Sequence, residues 1–129
     1  DKDMEMILPL LSDEALSELP EKLLKKYAKG VWFDIQRTNV LNNHKSATEQ
    51  KDEKHICPLQ LDIIERCIQL WSNPGEVVFT PFMGIGSEVY TALKLGRKGV
   101  GIELKESYFD VAVKNCKSVA VEKKQLALF

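Results

Sequence analysis

Two glycines and one acid are the residues of this chain whose types and spacing suggest chemistry. Gly84 and Gly86 lie in a turn after an apolar run, and Glu103 follows a second apolar run beyond a helical pattern. In a parallel α/β sheet such a turn brings backbone close to a ligand, and an acid after the next strand accepts hydrogen bonds from ribose hydroxyls. The arrangement therefore indicates an adenosine-type ligand.

Two classes of adenosine ligand compete for this unit. A dinucleotide site needs G-x-G-x-x-G, whose third glycine allows close helix packing while the helix N-terminus receives a pyrophosphate. Val89 holds the third position, and its branched side chain breaks that fingerprint. S-adenosylmethionine has no phosphates and fits better than NAD. A nucleotide-dependent oxidoreductase and a tight turn without any ligand stay open as alternatives.

The elements before the turn are predicted from apolar periodicity. A helix is expected over residues 59–71, with one apolar face formed by Leu59, Ile63, Ile64, Cys67, Ile68 and Trp71. We expect Trp71 to anchor the core from this face. Residues 77–79 then predict a buried strand that leads into the glycine turn.

The elements after the turn complete a strand–helix–strand unit. Ser87 is expected to cap a helix that continues through Leu95, and Gly96 is expected to stop it. Val100 and Ile102 predict the second short strand. A last helix is expected from residue 105 or 106 to about residue 121, and its buried side is predicted to hold Tyr108, Ala112, Val113 and Cys116.

The amino-terminal third is predicted to contain short elements. Pro20 is expected to start a helix that Gly30 ends, and Val31–Ile35 predicts a strand. Residues 42–54 are polar and charged without an apolar period, which predicts a mobile surface loop.

Length and composition favour one domain. The chain has 129 residues, of which 44% are hydrophobic, enough for a modest core. We expect residues 1–54 to hold the amino-terminal elements and loop, residues 55–122 the cofactor-binding portion, and residues 123–129 a tail. The fold class is α/β, with few parallel strands and flanking helices.

Three segments resemble amino-group DNA methyltransferases, which modify adenine N6 or cytosine N4. The segment Thr80–Ser87 reads TPFMGIGS and resembles the D-P-F-x-G-x-G-T signature of that family. The sequence GIEL at residues 101–104, with Tyr108 and Ala112 after it, is similar to the family's G-x-E and tyrosine-bearing helix. Residues 54–61 (KHICPLQL) resemble the segment before the signature in members whose catalytic motif lies earlier. The match covers about half of the chain.

The resemblance implies a partial Rossmann-like fold of S-adenosylmethionine-dependent methyltransferases and implies that cofactor. Phe82, Gly84 and Gly86 would then line its adenosine and amino-acid parts, Glu103 would hold the ribose hydroxyls, and residues 55–58 would close over the methionine end. The expected cofactor-binding residues are His55, Cys57, Pro58, Thr80, Pro81, Phe82, Met83, Gly84, Gly86, Ser87, Glu103 and Leu104.

The departures from the family pattern limit what this chain can do alone. Thr80 stands where the family has aspartate, so a carboxylate contact to the charged end of the cofactor is lost or replaced. Ser87 keeps the hydroxyl of the family's threonine, and Cys57 stands where many members carry lysine. No Asp/Asn/Ser-Pro-Pro-Tyr/Phe/Trp motif occurs, and in the family this motif holds the flipped base. No catalytic residue is therefore assigned.

The missing motif predicts that this is the carboxyl-terminal part of a larger site-specific methyltransferase, inactive alone. The alternative is a non-catalytic remnant that acts as a binding module. A net charge of −1 gives no general attraction to DNA, so DNA is expected as a partner through the complete enzyme. The resemblance implies a restriction-modification or prophage setting, while the target base and its sequence context stay open.

The last five residues, QLALF, resemble the pentapeptide by which bacterial replication proteins dock on the sliding clamp. The expected contacts are made by Gln125, Leu126, Leu128 and Phe129, with the last two in an apolar pocket. The alternative is a frayed helix end whose apolar residues fold back on the domain.

Other features predict a cytoplasmic protein without metal. Cys57, Cys67 and Cys116 form no C-x-x-C, which favours reduced thiols, and the cysteines and histidines do not make a recognised zinc set. No apolar run of about 18 residues is present, so no membrane contact is expected. A sheet of two or three strands would leave open edges, through which the chain could self-associate.

Overall fold

The computed structural model of the chain describes residues 21–41 and 58–126, with side chains described through residue 120. The expected loop at residues 42–54 lies outside these ranges. The chain forms two compact units, one ending at Asp34 and the other beginning at Ile35.

The first unit contains the expected short helix but lacks the expected strand. Residues 21–27 are helical, and the helix ends before Gly30. The strand predicted at Val31–Ile35 is wrong, because these residues have no strand partner within the described ranges. Val31 is 61% exposed and Phe33 is 94% exposed, so these apolar side chains do not form a buried face. The Trp32 indole instead donates to the Tyr27 carbonyl at 2.7 Å.

The second unit is a parallel strand–helix–strand unit with flanking helices. Its elements are α1 (Leu61–Trp71), β1 (Val77–Thr80), α2 (Ser87–Lys94), β2 (Lys98–Gly101) and α3 (Glu106–Leu126). In the described part of the chain the sheet consists of β1 and β2, which pair in parallel. Val77 lies opposite Lys98, and Thr80 lies opposite Gly101. The predicted α/β class with few parallel strands is confirmed.

The apolar face predicted for α1 forms half of a core. Ile64 and Ile68 are buried and pack with Ala92 of α2, because residues three and four apart lie on the same side of a helix. Trp71 does not anchor this core, and that prediction is wrong: its side chain is 76% exposed. It is the last residue of α1 and lies at the rim of a groove between α1 and β1.

Helix α2 lies between two glycines, Gly86 before it and Gly96 after it. The prediction that Ser87 caps it is wrong, since the N-cap is Gly86 in a left-handed conformation. Ser87 is the first helical residue and is 5% exposed. Gly96, with φ +75°, ends the helix as predicted.

Arg97 joins the ends of α1 and α2 just before β2. Its guanidinium donates to the Ser72 carbonyl and to the Leu95 carbonyl, both at 2.7 Å. These bonds satisfy carbonyl groups near helix ends that otherwise lack intrahelical donors.

The two faces of the sheet differ. Side chains at alternate positions point to opposite faces, and α2 packs against both strands. The face away from this packing carries Val77, Phe79 and Val100, which are 60%, 57% and 49% exposed. The prediction that β1 is buried is therefore wrong for Val77 and Phe79, because no described element covers this outer face.

Helix α3 is longer than expected, since it runs to Leu126. Ala112 is 1% exposed, as predicted for the buried side, and Val113 and Cys116 are half-buried. Burial raises the pKa of the Cys116 thiol. The helix also buries Asn115, a polar residue that the apolar pattern does not indicate.

Candidate functional site

The turn between β1 and α2 is fixed by backbone hydrogen bonds at both ends. The Met83 amide donates to the Ile102 carbonyl at 2.9 Å, and the Gly86 amide donates to the Met83 carbonyl at 2.8 Å. Gly84 and Gly86 have φ values of +54° and +90°. Glycine adopts these angles without the steric cost that a Cβ atom brings, which explains both glycines in the sequence.

Glu103 bridges the two strand ends. Its Oε2 accepts the Gly84 amide at 2.8 Å, and its Oε1 accepts the Lys105 amide at 2.9 Å. A carboxylate has about four lone-pair positions, so each oxygen keeps capacity for one further hydrogen bond. The acid is thus oriented by backbone donors while still able to accept two hydroxyl groups, as a ribose would require.

The other predicted site residues divide by exposure. Phe82 and Leu104 are 85% and 98% exposed, so both side chains are accessible to a ligand. Met83 and Ser87 are 7% and 5% exposed, so their side chains pack in the core. Any contact that these two residues make with a ligand would therefore come from their backbone atoms.

The remaining predicted residues are Thr80 and Pro81 at the end of β1 and the segment of residues 55–58 before α1. Thr80 Oγ1 accepts the Phe82 amide at 3.4 Å, a long hydrogen bond that spans Pro81. His55 and Cys57 lie outside the described residues, and Pro58 begins the second described range in a half-buried position.

Two buried residues support the turn without having been predicted. Asn115 Nδ2 donates to the Ile85 carbonyl at 2.9 Å, with the asparagine 5% exposed. Leu41 is 8% exposed and packs against Ile85 from the segment before α1. The sequence offers one signal for Asn115, which is its place three residues after Ala112 on the buried side of α3.

The helix–strand contact at Val89 bears on the choice of ligand. A Cβ atom on Gly99 would lie 2.7 Å from Val89 Cγ1. The close approach of helix and strand, which a dinucleotide fingerprint obtains with a third glycine on the helix, is obtained here with a glycine on β2. Val89 therefore fits this fold, and the helix position that a pyrophosphate motif reserves for glycine carries a full side chain.

An apolar groove of about 470 Å³ lies between α1 and β1. Its lining residues include Leu59, Ile63, Trp71 and Val77, together with Glu88 from the first turn of α2. Desolvation raises the pKa of Glu88, and the hydrogen bond from its own backbone amide opposes the rise. An acid in such a setting is destabilising when ionised.

Neither a metal site nor a membrane span is found in the part of the chain that the structure describes. Within residues 21–41 and 58–126, no three His, Cys, Asp or Glu residues are grouped as metal ligands would be. No helix in these ranges has the length and apolar content needed to cross a bilayer.

The sequence is similar to that of known DNA methyltransferases. A family model described as DNA methylase matches residues 4–114. The orphan methyltransferase M.BamHII of Bacillus amyloliquefaciens is 32% identical over 117 residues, or 90% of this chain and 43% of that protein. The type II methyltransferase M1.MboII of Moraxella bovis is 31% identical over 118 residues, or 84% of this chain and 45% of that protein. The chain spans less than half the length of these relatives.

The fold is also found among solved structures. A protein named as a DNA modification methylase of Thermus thermophilus, solved in complex with S-adenosyl-L-methionine, matches with a TM-score of 0.59 at 23% identity. The match covers 84% of this chain and 38% of that protein. At this identity the likeness concerns the fold, and the family assignment comes from the sequence match over residues 4–114. On that match, the chain belongs to the N6/N4 DNA methylase family.

Proposed function

We propose that this chain is the S-adenosylmethionine-binding portion of a DNA methyltransferase that acts on an exocyclic amino group of adenine or cytosine. The observation that carries the proposal is the hydrogen bond from the Gly84 amide to Glu103. It brings the glycine turn and the acid into one site, with carboxylate lone pairs left for ribose hydroxyls.

In the proposed reaction a bound cofactor would supply a methyl group on a sulfonium for in-line transfer to the exocyclic amine, with the sulfur leaving as a neutral thioether and the amine losing one proton. The residues of this chain contribute by placing that methyl group. Glu103 would fix the ribose, the turn at Gly84 and Gly86 would receive the adenosine and amino-acid parts, and Phe82 would flank them. Placement of this kind removes much of the entropic part of a barrier.

The other half of the chemistry would come from the remainder of a longer methyltransferase. Parallel sheets are normally covered on both faces, and here Val77, Phe79 and Val100 are exposed on the outer face. The sequence also lacks the Pro-Pro-aromatic motif. We therefore propose that further strands and helices cover this face in the complete enzyme and supply the base pocket, through which DNA is bound.

Titration calorimetry of the whole chain tests the cofactor assignment. S-adenosylmethionine should bind with a measurable Kd, and NAD should not bind at the same concentrations, because Val89 occupies the position of the third glycine. Absence of S-adenosylmethionine binding at millimolar concentration would contradict the proposal and favour a remnant that has lost its cofactor. Binding of NAD alone would favour the oxidoreductase alternative.

A transfer assay tests the expected inactivity of the chain in isolation. Labelled methyl groups should not reach DNA from this chain alone, even at saturating cofactor, because the sequence lacks the Pro-Pro-aromatic motif that holds the target base. Transfer by the isolated chain would show that it carries its own catalytic residues. A restriction-modification role would in addition require that methylation protects DNA from a matching endonuclease.

The second candidate is a binding module that docks on the sliding clamp, favoured by the QLALF sequence at the end of the chain. Gln125 and Leu126 close α3, and Leu128 and Phe129 lie outside the described residues. A clamp-binding assay decides this. Phe129→Ala should abolish binding while Lys124→Ala leaves it intact, and no detectable binding by the unaltered chain would remove this candidate.

A further inference from the structure

The peptide group between Ile85 and Gly86 is held from both sides. Its carbonyl oxygen accepts from Asn115 Nδ2 at 2.9 Å, and its amide donates to the Met83 carbonyl at 2.8 Å. A peptide group is planar, so these two bonds fix its rotation. The nearby glycine, Gly84, gives its own amide to Glu103. The orientation of the whole turn therefore depends on one side chain of α3 as well as on Glu103.

Helix α3 is shaped for this contact. A Cβ atom on Gly86 would lie 3.0 Å from Ala112 Cβ and 3.1 Å from Ala112 Cα, so the helix touches the backbone of the turn. Ala112 and Asn115 are three residues apart and share one face of the helix. The small residue permits the approach, and the amide next to it supplies the hydrogen bond.

The contact is also buried. Asn115 is 5% exposed and Ala112 is 1% exposed. A hydrogen bond in such a place is not exchanged with water, and its loss leaves a buried carbonyl without this donor. An apolar residue at position 115 would fill the space without setting the rotation of the peptide.

We propose that Asn115 is a positioning residue for cofactor binding, acting through the Ile85 carbonyl on the turn that receives S-adenosylmethionine. The proposal rests on the proposed function of the turn. It differs from a packing role because it requires a hydrogen-bond donor at position 115 and not merely a side chain of the same shape.

Asn115→Asp separates the two roles, since the side chains have nearly the same shape. A protonated aspartic acid donates one hydrogen bond, whereas an ionised carboxylate has acceptors alone and would repel the Ile85 carbonyl. Burial raises the pKa of such a carboxyl group. The Kd of the Asn115→Asp chain for S-adenosylmethionine should therefore fall by about tenfold or more as the pH is lowered from 8 to 5.

The unaltered chain gives the baseline. Titratable side chains on the elements around this contact include Glu103 and Lys105 after β2, Glu88, Tyr90 and Lys94 on α2, and Glu106, Tyr108, Asp110, Lys114, Cys116 and Lys117 on α3. Their effects on affinity are present in the unaltered chain and in both Asn115 variants. The ratio of the Kd of the Asn115→Asp chain to that of the unaltered chain isolates the new carboxyl group.

Two further variants complete the test. Asn115→Ala should weaken cofactor binding at every pH, with a ratio to the unaltered chain that does not change between pH 5 and 8. Asp110→Asn, on an exposed position of α3, should leave binding unchanged. A pH-independent ratio for Asn115→Asp, or full affinity in Asn115→Ala, would overturn the positioning role.

Hydrogen exchange keeps the inference separate from the cofactor assignment. In the chain without cofactor, the Gly84 and Gly86 amides should exchange faster in Asn115→Asp than in the unaltered chain at pH 8, and the excess should vanish at pH 5. Failure of the unaltered chain to bind S-adenosylmethionine would refute the proposed function, while unchanged exchange would refute the role of Asn115. Melting curves at each pH identify the conditions in which both chains stay folded.

Discussion

Glu103 Oε2 lies 2.8 Å from the Gly84 amide nitrogen, so the acid that follows β2 holds the turn that follows β1. This hydrogen bond links the two parallel strands at their carboxyl ends. A cofactor would meet an acid that is already oriented, and little side-chain entropy would be lost on binding.

Substitution of Glu103 should weaken cofactor binding, because the carboxylate both orients the turn and would accept the ribose hydroxyls. Glu103→Gln keeps an oxygen for one backbone donor but places an NH₂ group towards the other, and Glu103→Ala removes both acceptors. We expect the affinity for S-adenosylmethionine to fall by about tenfold or more in both, with the larger loss in alanine. Calorimetry measures this, with Glu106→Gln as an exposed control that keeps its affinity. Unchanged affinity in Glu103→Ala would contradict a role at the ribose.

The two glycines of the turn should respond differently to a methyl group. Gly86→Ala brings a Cβ atom to 3.0 Å from Ala112 Cβ at φ +90°, whereas Gly84→Ala at φ +54° meets no atom within 4 Å. Gly84→Ala should cost about 1 kcal/mol of unfolding free energy from the left-handed angle, and Gly86→Ala clearly more. Urea denaturation checks both. Ala112→Gly added to Gly86→Ala should recover part of the steric loss, since the approach to Ala112 Cα at 3.1 Å remains, and equal losses for the two single variants would contradict this account.

The close contact between α2 and β2 can be tested by enlarging the residue on the strand and shortening the residue on the helix. A Cβ atom on Gly99 would lie 2.7 Å from Val89 Cγ1 and 3.2 Å from the Val89 carbonyl oxygen. Gly99→Ala should destabilise the chain by about 1–3 kcal/mol, the usual cost of overpacking. The double variant Gly99→Ala with Val89→Ala should be less destabilised than the sum of the single variants, as a double-mutant cycle in urea would show. Additive losses would mean that the two residues do not compete for space.

The predictable part of this fold is the part set by local chemistry. Helix α1, the glycine turn and the stop at Gly96 follow from apolar period and from angles that favour glycine. Glu103 could be placed because a parallel strand–helix–strand unit brings its position beside the turn. These features depend on residues that are close in sequence or on the geometry of the parallel strand–helix–strand unit.

The errors occurred where burial depends on elements that the pattern does not contain. The continuous apolar run at residues 77–79 predicts a buried strand, but a layer that covers Val77 and Phe79 is not among the described elements. Trp71 continues the apolar face of α1 beyond the point where α2 packs. Asn115 was missed because an apolar period does not select a polar residue, even one that lies three residues after Ala112 on the buried side of α3, and because its partner is a backbone carbonyl far away in the sequence.

Two acids in different surroundings should give opposite pH effects on stability. Desolvation in the groove raises the pKa of Glu88, so the folded state binds more protons than the unfolded state. Its contribution is most favourable below the ordinary glutamate pKa and is lost as the pH rises through the raised folded value. Glu88→Gln should therefore stabilise the chain at pH 7, with the gain shrinking to nothing in acid.

Glu76 provides the comparison of opposite sign. Its carboxylate accepts the Asn73 amide at 2.8 Å and Asn73 Nδ2 at 3.1 Å, and the backbone bond is the main reason that its pKa is lowered. Stability from this group is present above the ordinary pKa and is lost as the pH falls through the lowered folded value. Glu76→Gln should destabilise the chain at pH 7 and have no effect in strong acid. Thermal melts from pH 3 to 8 test both residues, and shifts of the same sign would contradict the assignment.

The outer face of the sheet should govern self-association of the isolated chain. Phe79 and Val100 are neighbours across β1 and β2 in the register of the sheet, and both are about half exposed. Phe79→Thr and Val100→Thr remove apolar surface while keeping residues that favour strands.

Sedimentation velocity should show a larger monomer fraction for the double variant, with little change in melting temperature. Val78→Thr is the matched control, because it alters the half-buried inner face and should lower stability without favouring the monomer. A double variant that sediments like the unaltered chain would exclude this face as the site of association and leave the open strand edges as the remaining candidate.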